Sequence, residues 1–445
     1  MSEKTNVGGG GEGAALPSRV DVVVVGGGPA GLIAAIRAAQ SGARALVLEA
    51  MPAPGRKLLL TGGGRCNLTT DRDARAFVEA CGPRGRFLHN ALSRFDCAAA
   101  RAFFHSAGLA LKREEDGRWF PESDRAADVL ATLERVLRSS GAVLRCATPV
   151  RSIARADPAG FDVATAAGTV RTRAVVVATG GLSYPGTGSS GDGFRFARAF
   201  GHEVTRLLPA EVSLEAGPAW VHELAGVTLP DVVLAFRSGR NRCEVRGPLL
   251  FTHYGISGPA VMDASREVCA WLADGSPVQT LADLAPSVGN DDLMARLDDE
   301  GRRPGRHPVR AVLRGLVPER VADAVARSAG CDPTAEMASL PLERRRAIPG
   351  ALKQARIDVT ATRGFREAAV TRGGVSTREV DPTTMESRRV PGLFFAGEVL
   401  DVDGPRGGFN LQIAWSTGWI AGTRSAAVAL ESPDADVPAD TGGMP

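Results

Sequence analysis

The sequence predicts an α/β fold, a parallel-sheet domain split in two by a long insertion. Three observations carry that expectation. Near the N-terminus, Val20–Val25 is a β-branched run broken only by Asp21, followed by glycines in G-x-G-x-x-G spacing (Gly26, Gly28, Gly31) and then by a helical pattern. In the middle, "AVVVATGG" (Ala174–Gly181) reads as a second buried strand ending in a glycine pair. Near the C-terminus, "LFFAGE" (Leu393–Glu398) is a short strand ending in a Gly–acid pair, ahead of Gly407, Gly408, Phe409, Asn410 and Leu411, which open a long helix. Continuous apolar runs of this kind suit parallel strands covered on both faces.

Each part of the first unit has a physical reason. Gly26 makes the tight turn after the strand. Gly28, followed by Pro29 and Ala30, lets a pyrophosphate approach the backbone, and Gly31 lets helix and strand pack closely. The helix N-terminus offers free N–H groups and a positive dipole end to phosphate. The helical pattern (Leu32, Ile33, Ile36, Ala39) stops at Ser41-Gly42, and a second strand, Ala45–Leu48, ends in Glu49, followed by Ala50. An acid at that place accepts hydrogen bonds from a ribose 2′-OH and argues against a 2′-phosphate. Strand, glycine turn, helix, strand and terminal acid together specify a Rossmann-like dinucleotide site far better than the glycines alone.

The other two stretches point to FAD. A strand ending in Ala178, Thr179 and Gly180 is how two-part FAD domains return to the sheet. The hairpin-like text before it places Val150 as a backbone contact to adenine. Gly397 and Glu398 suit the ribitol. The helix opening at Gly407, Gly408, Asn410 and Leu411 suits the flavin pyrimidine edge, which becomes anionic on reduction and is stabilised by a helix N-terminus. A second G-x-G-x-x-G, "GTGSSG" (Gly186, Gly188, Gly191), does not start directly after a strand and leads to no second strand ending in an acid. It reads as a loop lining the active site rather than as a nicotinamide site.

Composition narrows the rest. With 445 residues, 44% hydrophobic and 23% charged, the chain is of globular type, and a net charge of +3 gives no argument for nucleic acid or a membrane surface. No apolar run reaches the ~18 residues a membrane helix needs. Residues 1–18 have no apolar h-region and read as a disordered leader, and 432–445 as a disordered tail. Seven cysteines without a C-x-x-C argue for a reducing compartment, expected to be the cytoplasm, and against a disulfide framework or any metal site. Nothing speaks to oligomeric state.

Five stretches together resemble one family, the BaiN/RdsA-type, aminoacetone-oxidase-like NAD(P)/FAD-dependent oxidoreductases. They are "VVVGGGPAGLIAA", "GRKLLLTGGGRCNLTT", "VVVATGGLSYPGTGSSGDGF", "LLFTHYGISGPAVM" and the run from "AAVTRGGVSTREV" through "DVDGPRGGFNLQIAWSTGWIAG". They span nearly the whole chain in order; Thr61 stands where Ser is expected in many members. The resemblance implies non-covalent FAD in a discontinuous domain (19–201 and 357–431), with an inserted small β-barrel and a helical subdomain. The text agrees: 202–275 is rich in short β-like runs and 276–356 in amphipathic helical patterns. In such domains "GRKLLLTGGGRCN" passes under the isoalloxazine, which makes Lys57, Gly63, Gly64, Arg65, Cys66 and Asn67 cofactor contacts. Cys66 has no cysteine near it in sequence, so a packing role is expected rather than redox chemistry. His253, Tyr184 and Arg65 are the candidate catalytic residues, and Arg372 a candidate for an anionic substrate.

The expected function is FAD-dependent oxidoreduction of a small or medium organic substrate. Two reactions fit the resemblance: reduction of a conjugated C=C bond, with NAD(P)H as transient electron donor, or oxidation of an amine with O₂. A flavoprotein that modifies RNA is a third reading, disfavoured by the small charge and the absence of a basic–aromatic stripe.

Overall fold

β1 (Arg19–Val25) and β2 (Ala45–Leu48) pair in parallel, Val22 opposite Ala45 and Val25 opposite Leu48. Their valines and leucines are buried, as a two-sided cover demands. This computed structural model describes residues 15–431 apart from Pro158 and Pro304; the expected tail and all but the end of the expected leader lie outside the described residues. The chain divides into two units. One comprises the residues up to 181, 187–205 and those from 373 onward; the other comprises 182–186 and 206–372.

In the first unit, Val143–Arg145, β2, β1 and Gly168–Val177 lie side by side in parallel, and Leu393–Phe395 pairs in parallel with Val175–Val177. On its other side, Gly168–Val177 turns back antiparallel through Phe161–Thr165 to Val150–Arg155. The helix α1 (Pro29–Gln40) and the C-terminal helix (Phe409–Glu431) cover this sheet and each other. They approach to backbone contact. A Cβ at Gly418 would stand 2.4 Å from Ala30 O, and one at Gly422 2.1 Å from Ala34 O.

The second unit is built on a seven-stranded sheet. Its order is Ala355–Arg356, Gln279–Asp283, Thr228–Ser238, Asn241–Thr252, Gly255–Ser257, Leu214–Ala216, Val359–Thr362. A bridge from Val359 to Val278 brings the far strand back beside the start of Gln279–Asp283. Helices Asn290–Arg302, Val309–Arg314, Glu319–Ser328 and Leu342–Lys353 share one apolar core with it, around Leu234, Phe236, Phe251, Leu293 and Ile348.

Two boundaries differ from the sequence expectation. Gln279–Asp283 and Ala355–Arg356 fall in text assigned to the helical subdomain, yet pair as strands of this sheet. Strands this short carry too little periodicity to be told from helix flanks. Val359–Thr362 and Val370–Arg372, expected with the FAD-binding domain, pair with Leu214–Ala216 and Leu208–Ala210 in the second unit, so the chain re-enters the first unit at Gly373. Pairing partners this distant in sequence leave no local signature.

His202, just after the helix Asp192–Ala199, is a buried support of the first unit. Ser387 Oγ accepts from Arg389 N (3.0 Å) and Val390 N (2.8 Å), so its own proton goes to His202 Nε2 (2.8 Å). Nδ1–H then donates to Glu379 (3.1 Å). This assignment, made from the network, leaves the imidazole neutral with both nitrogens satisfied. Burial pushes the His202 pKa below its ordinary value, against the opposing pull of Glu379. The unfolded chain therefore binds the proton first as pH falls. Stability is expected to decline as pH falls below about 6.5, above the range where carboxylates titrate. Urea midpoints across that window check this; an identical slope in His202→Gln would assign the pH dependence elsewhere.

Candidate dinucleotide site

The first unit brings together most of the residues expected to hold a dinucleotide. Gly26 turns the chain off β1 at φ +106°, where a Cβ would lie 2.5 Å from Ala178 O; at Gly31 it would lie 1.9 Å from Gly26 O. At Gly28, by contrast, a Cβ would meet no atom within 4 Å. Gly28 is the N-cap of α1, no side chain caps the helix, and Pro29 has no N–H to offer. That is the cradle a pyrophosphate needs: open space before an uncapped helix N-terminus.

Glu49 stands at the end of β2, 8% exposed. One carboxylate oxygen accepts from Gly27 N (2.6 Å) and the other from Met51 N (2.8 Å). Each oxygen keeps a lone pair for a further donor, which suits a ribose diol. Ala50 beside it is exposed. The backbone of Glu49 and Met51 accepts from Thr148 N and Ala147 N, both 2.8 Å, so the segment leading to Val150 is tied to the acid.

The glycine run follows. Gly62, Gly63 and Gly64 all have positive φ, and a Cβ at Gly63 would meet nothing within 4 Å. Leu59 and Leu60 before it are exposed, at 36% and 50%. An open backbone beside exposed leucines suits a flat, largely apolar ring. Lys57 and Glu398 pair with each other (2.6 Å), joining this segment to the Gly397 strand end. Gly397 N donates to Thr417 Oγ1 at 2.9 Å.

Three neighbouring expectations take a more structural form. Arg65 commits its charge to Glu114 and Asp124 and lies 4.1 Å above the Phe120 ring. Asn67, with its amide oriented by its neighbours, accepts from Gly408 N (3.1 Å) and donates to Thr69 O (3.3 Å), so it fastens the glycine run to the C-terminal helix. Asn410 accepts from Gly404 N (2.9 Å) and donates to Gly404 O (3.1 Å), bracing the loop ahead of Gly407 and leading to Leu411.

Cys66 is fully buried at φ +62°, and burial pushes its thiol up to about 12. A thiol so protonated is no nucleophile, and all the described cysteines are free. Cys66→Ala is expected to leave flavin reduction by a given donor within about tenfold, or ~1.4 kcal/mol of barrier. Stopped-flow reduction checks this; loss of reducibility with flavin still bound would give the thiol a chemical role.

Some contributors lie outside every glycine motif. Gln412 and Ser416, one turn apart, face inward: Gln412 Nε2 donates to Phe95 O (3.2 Å) and Ser416 Oγ (2.9 Å), Thr69 Oγ1 donates to Gln412 Oε1 (2.6 Å), and Trp415 Nε1 donates to Leu68 O (3.0 Å). The i, i+4 polar pair in an otherwise apolar helix was the available clue. Thr179 Oγ1 is buried without a hydrogen-bond partner. The strand expected at Ala174–Gly181 begins at Gly168 and ends at Val177, leaving Ala178, Thr179 and Gly180 in the turn beyond it.

The remaining candidates belong to the second unit. Tyr184 sits at φ +50°, its N–H bonded to Phe365 O (3.0 Å); burial, then Glu367 and Glu211, push its phenol pKa up. His253 is exposed in the two-residue turn between Asn241–Thr252 and Gly255–Ser257, edge-on to Tyr254. Arg372 donates to Arg266 O (2.6 Å). Among the described residues no acid, histidine or cysteine cluster could hold a metal, and no helix is long and apolar enough to cross a membrane.

Residues 20–424 match the model of a family described as "HI0933-like protein Rossmann domain". A ribosomal RNA dihydrouridine synthase of Escherichia coli strain K12 is 34% identical over 90% of this chain and 96% of its own. A 3-dehydro-bile acid delta(4,6)-reductase of Clostridium scindens is 32% identical over 91% of this chain and 98% of its own. Among solved structures, a flavocytochrome c3 fumarate reductase in an open conformation aligns with TM-score 0.52 at 18% identity, over 93% of this chain and 79% of that one. That likeness is one of fold.

Proposed function

The chain belongs to the HI0933-like Rossmann family and is an FAD-dependent oxidoreductase, and from that premise we propose that it reduces a C=C bond conjugated with a carbonyl in a small or medium organic molecule, with NAD(P)H as electron donor. The observation that carries the flavin part is the open, uncapped N-terminus of α1 beside the buried Glu49 carboxylate. When bound, FAD supplies two-electron chemistry that no side chain offers.

The chain's own residues do the rest. The α1 N-terminus binds the pyrophosphate, Glu49 the ribose, and the Gly62–Gly64 backbone with Gly397 and the Gly408 helix end orients the ring. Saturating the bond also requires a proton at the carbon next to the carbonyl. The donor nucleotide has no dedicated fold among the described residues, since "GTGSSG" leads to no further parallel strand. It would therefore bind transiently.

The named activities of the relatives support the reaction class. One relative is named as a 3-dehydro-bile acid delta(4,6)-reductase and another as a ribosomal RNA dihydrouridine synthase, and both names denote the addition of hydrogen to an unsaturated molecule. The dihydrouridine synthases also favour a second reading, in which that bond belongs to a uridine in RNA. The test is anaerobic reduction with NADH or NADPH, then reoxidation by cyclic enones or by ribosomal RNA; in a separate arm the oxidised protein is given amines without nicotinamide, and flavin reduction by the amine followed by O₂ consumption is followed. Reoxidation by an enone with a saturated product supports the proposal. Reoxidation by RNA alone moves it to the second reading, and amine-dependent O₂ consumption without enone turnover overturns it.

A further inference from the structure

The loop "GTGSSG" was expected to line the active site, yet in the first unit its middle glycine lies against the acid that ends β2. A Cβ on Gly188 would stand 2.8 Å from Met51 Cγ and 3.5 Å from Glu49 Oε1. Gly188 has φ +105°, a backbone that side chains rarely adopt. Ser189 next to it is buried, and its Oγ would stand 2.7 Å from a Cβ on Gly180. The loop thus runs from the Gly180 turn across to Glu49 and Met51, and ends at Gly191, which caps the helix Asp192–Ala199.

Glu49 and Met51 are held from the other side as well, by the Ala147 and Thr148 amides, and Ala147 is itself left-handed at φ +49°. The acid end of β2 is therefore held between two segments of left-handed backbone, one at Ala147 before Val150 and one at Gly188. A clamp that close needs a glycine at the contact, since any side chain there would press on Met51 and, through its backbone hydrogen bond, on the Glu49 carboxylate.

We infer that the Thr187–Gly191 segment covers the adenosine ribose of the bound dinucleotide, with Gly188 as the positioning residue that sets Glu49 and Met51. This rests on the FAD reading above. It takes the second glycine motif out of the active site and gives it to the AMP half of the cofactor.

The test uses apoprotein and three probes: FAD, ADP for the AMP half and FMN for the flavin half. Gly188→Ala is expected to weaken ADP and FAD about tenfold while FMN changes less than twofold. Met51→Ala leaves the loop backbone untouched and loosens the same contact, with an expected loss of about threefold for ADP. In Gly188→Ala/Met51→Ala part of the ADP loss should be recovered, because the added methyl no longer meets a side chain. A general packing defect would lower all three probes together. Unchanged ADP affinity in both single variants, in a wild type that takes up FAD, overturns the inference alone. Wild-type apoprotein that takes up neither FAD nor ADP sinks the flavoprotein reading as well.

Discussion

Gly31→Ala is expected to purify with little or no flavin. A methyl group there would stand 1.9 Å from Gly26 O, inside the turn proposed to hold the pyrophosphate. Neither partner can yield. Gly31 is in the first turn of α1, and Gly26 is fixed by its N–H, which donates to Leu48 O at 2.9 Å. Overpacking of this kind costs roughly 1–3 kcal/mol. Here the relief is to push the helix N-terminus off the strand, so the cost falls on cofactor binding. A shift of ~3 kcal/mol corresponds to about 100-fold in dissociation constant. Titration of apoprotein with FAD, read by flavin fluorescence, checks the expectation. A yellow Gly31→Ala protein with wild-type affinity would mean that the turn does not face the pyrophosphate.

Glu49→Gln is expected to weaken FAD by about 10- to 100-fold. In the native chain both carboxylate oxygens accept a backbone N–H, from Gly27 and from Met51. A glutamine can satisfy only one of them, because its NH₂ would face the other donor. The charge-assisted bond proposed from Glu49 to the ribose would be lost too, and such bonds contribute roughly 1.5–3 kcal/mol. The two effects separate on inspection of the apoprotein. The amide mismatch lowers its melting temperature, whereas the ribose term appears only in the FAD affinity. Equal dissociation constants for variant and wild type would remove Glu49 from the ribose.

The dinucleotide half of this protein was written locally. Val20–Val25, the Gly26–Gly31 turn, α1 and the strand ending in Glu49 lie within one short stretch, and each step of that unit is enforced by neighbours in sequence. A β-branched run must pair, a glycine must turn, and an acid after a short strand must find donors. The C-terminal Gly397 and Gly408 elements were legible for the same reason, as a strand end and a helix start.

What the tertiary structure decided is where distant segments meet. Nothing near Arg65 announces that Glu114 and Asp124 hold its charge, and nothing near Asn67 announces Gly408. The second glycine motif reads the same in sequence whether it serves a nicotinamide, a substrate or an adenosine ribose, and nothing near it in sequence announces that Gly188 lies against Met51, far back in the chain. Likewise Val359–Thr362 has the text of a returning sheet strand, and only its pairing with Leu214–Ala216 places it in the second unit. Local conformation follows from propensity and from glycine and proline constraints on neighbouring dihedrals, which sequence states directly. Partnership across many residues depends on which surfaces are buried together, and that is settled only when the whole core forms.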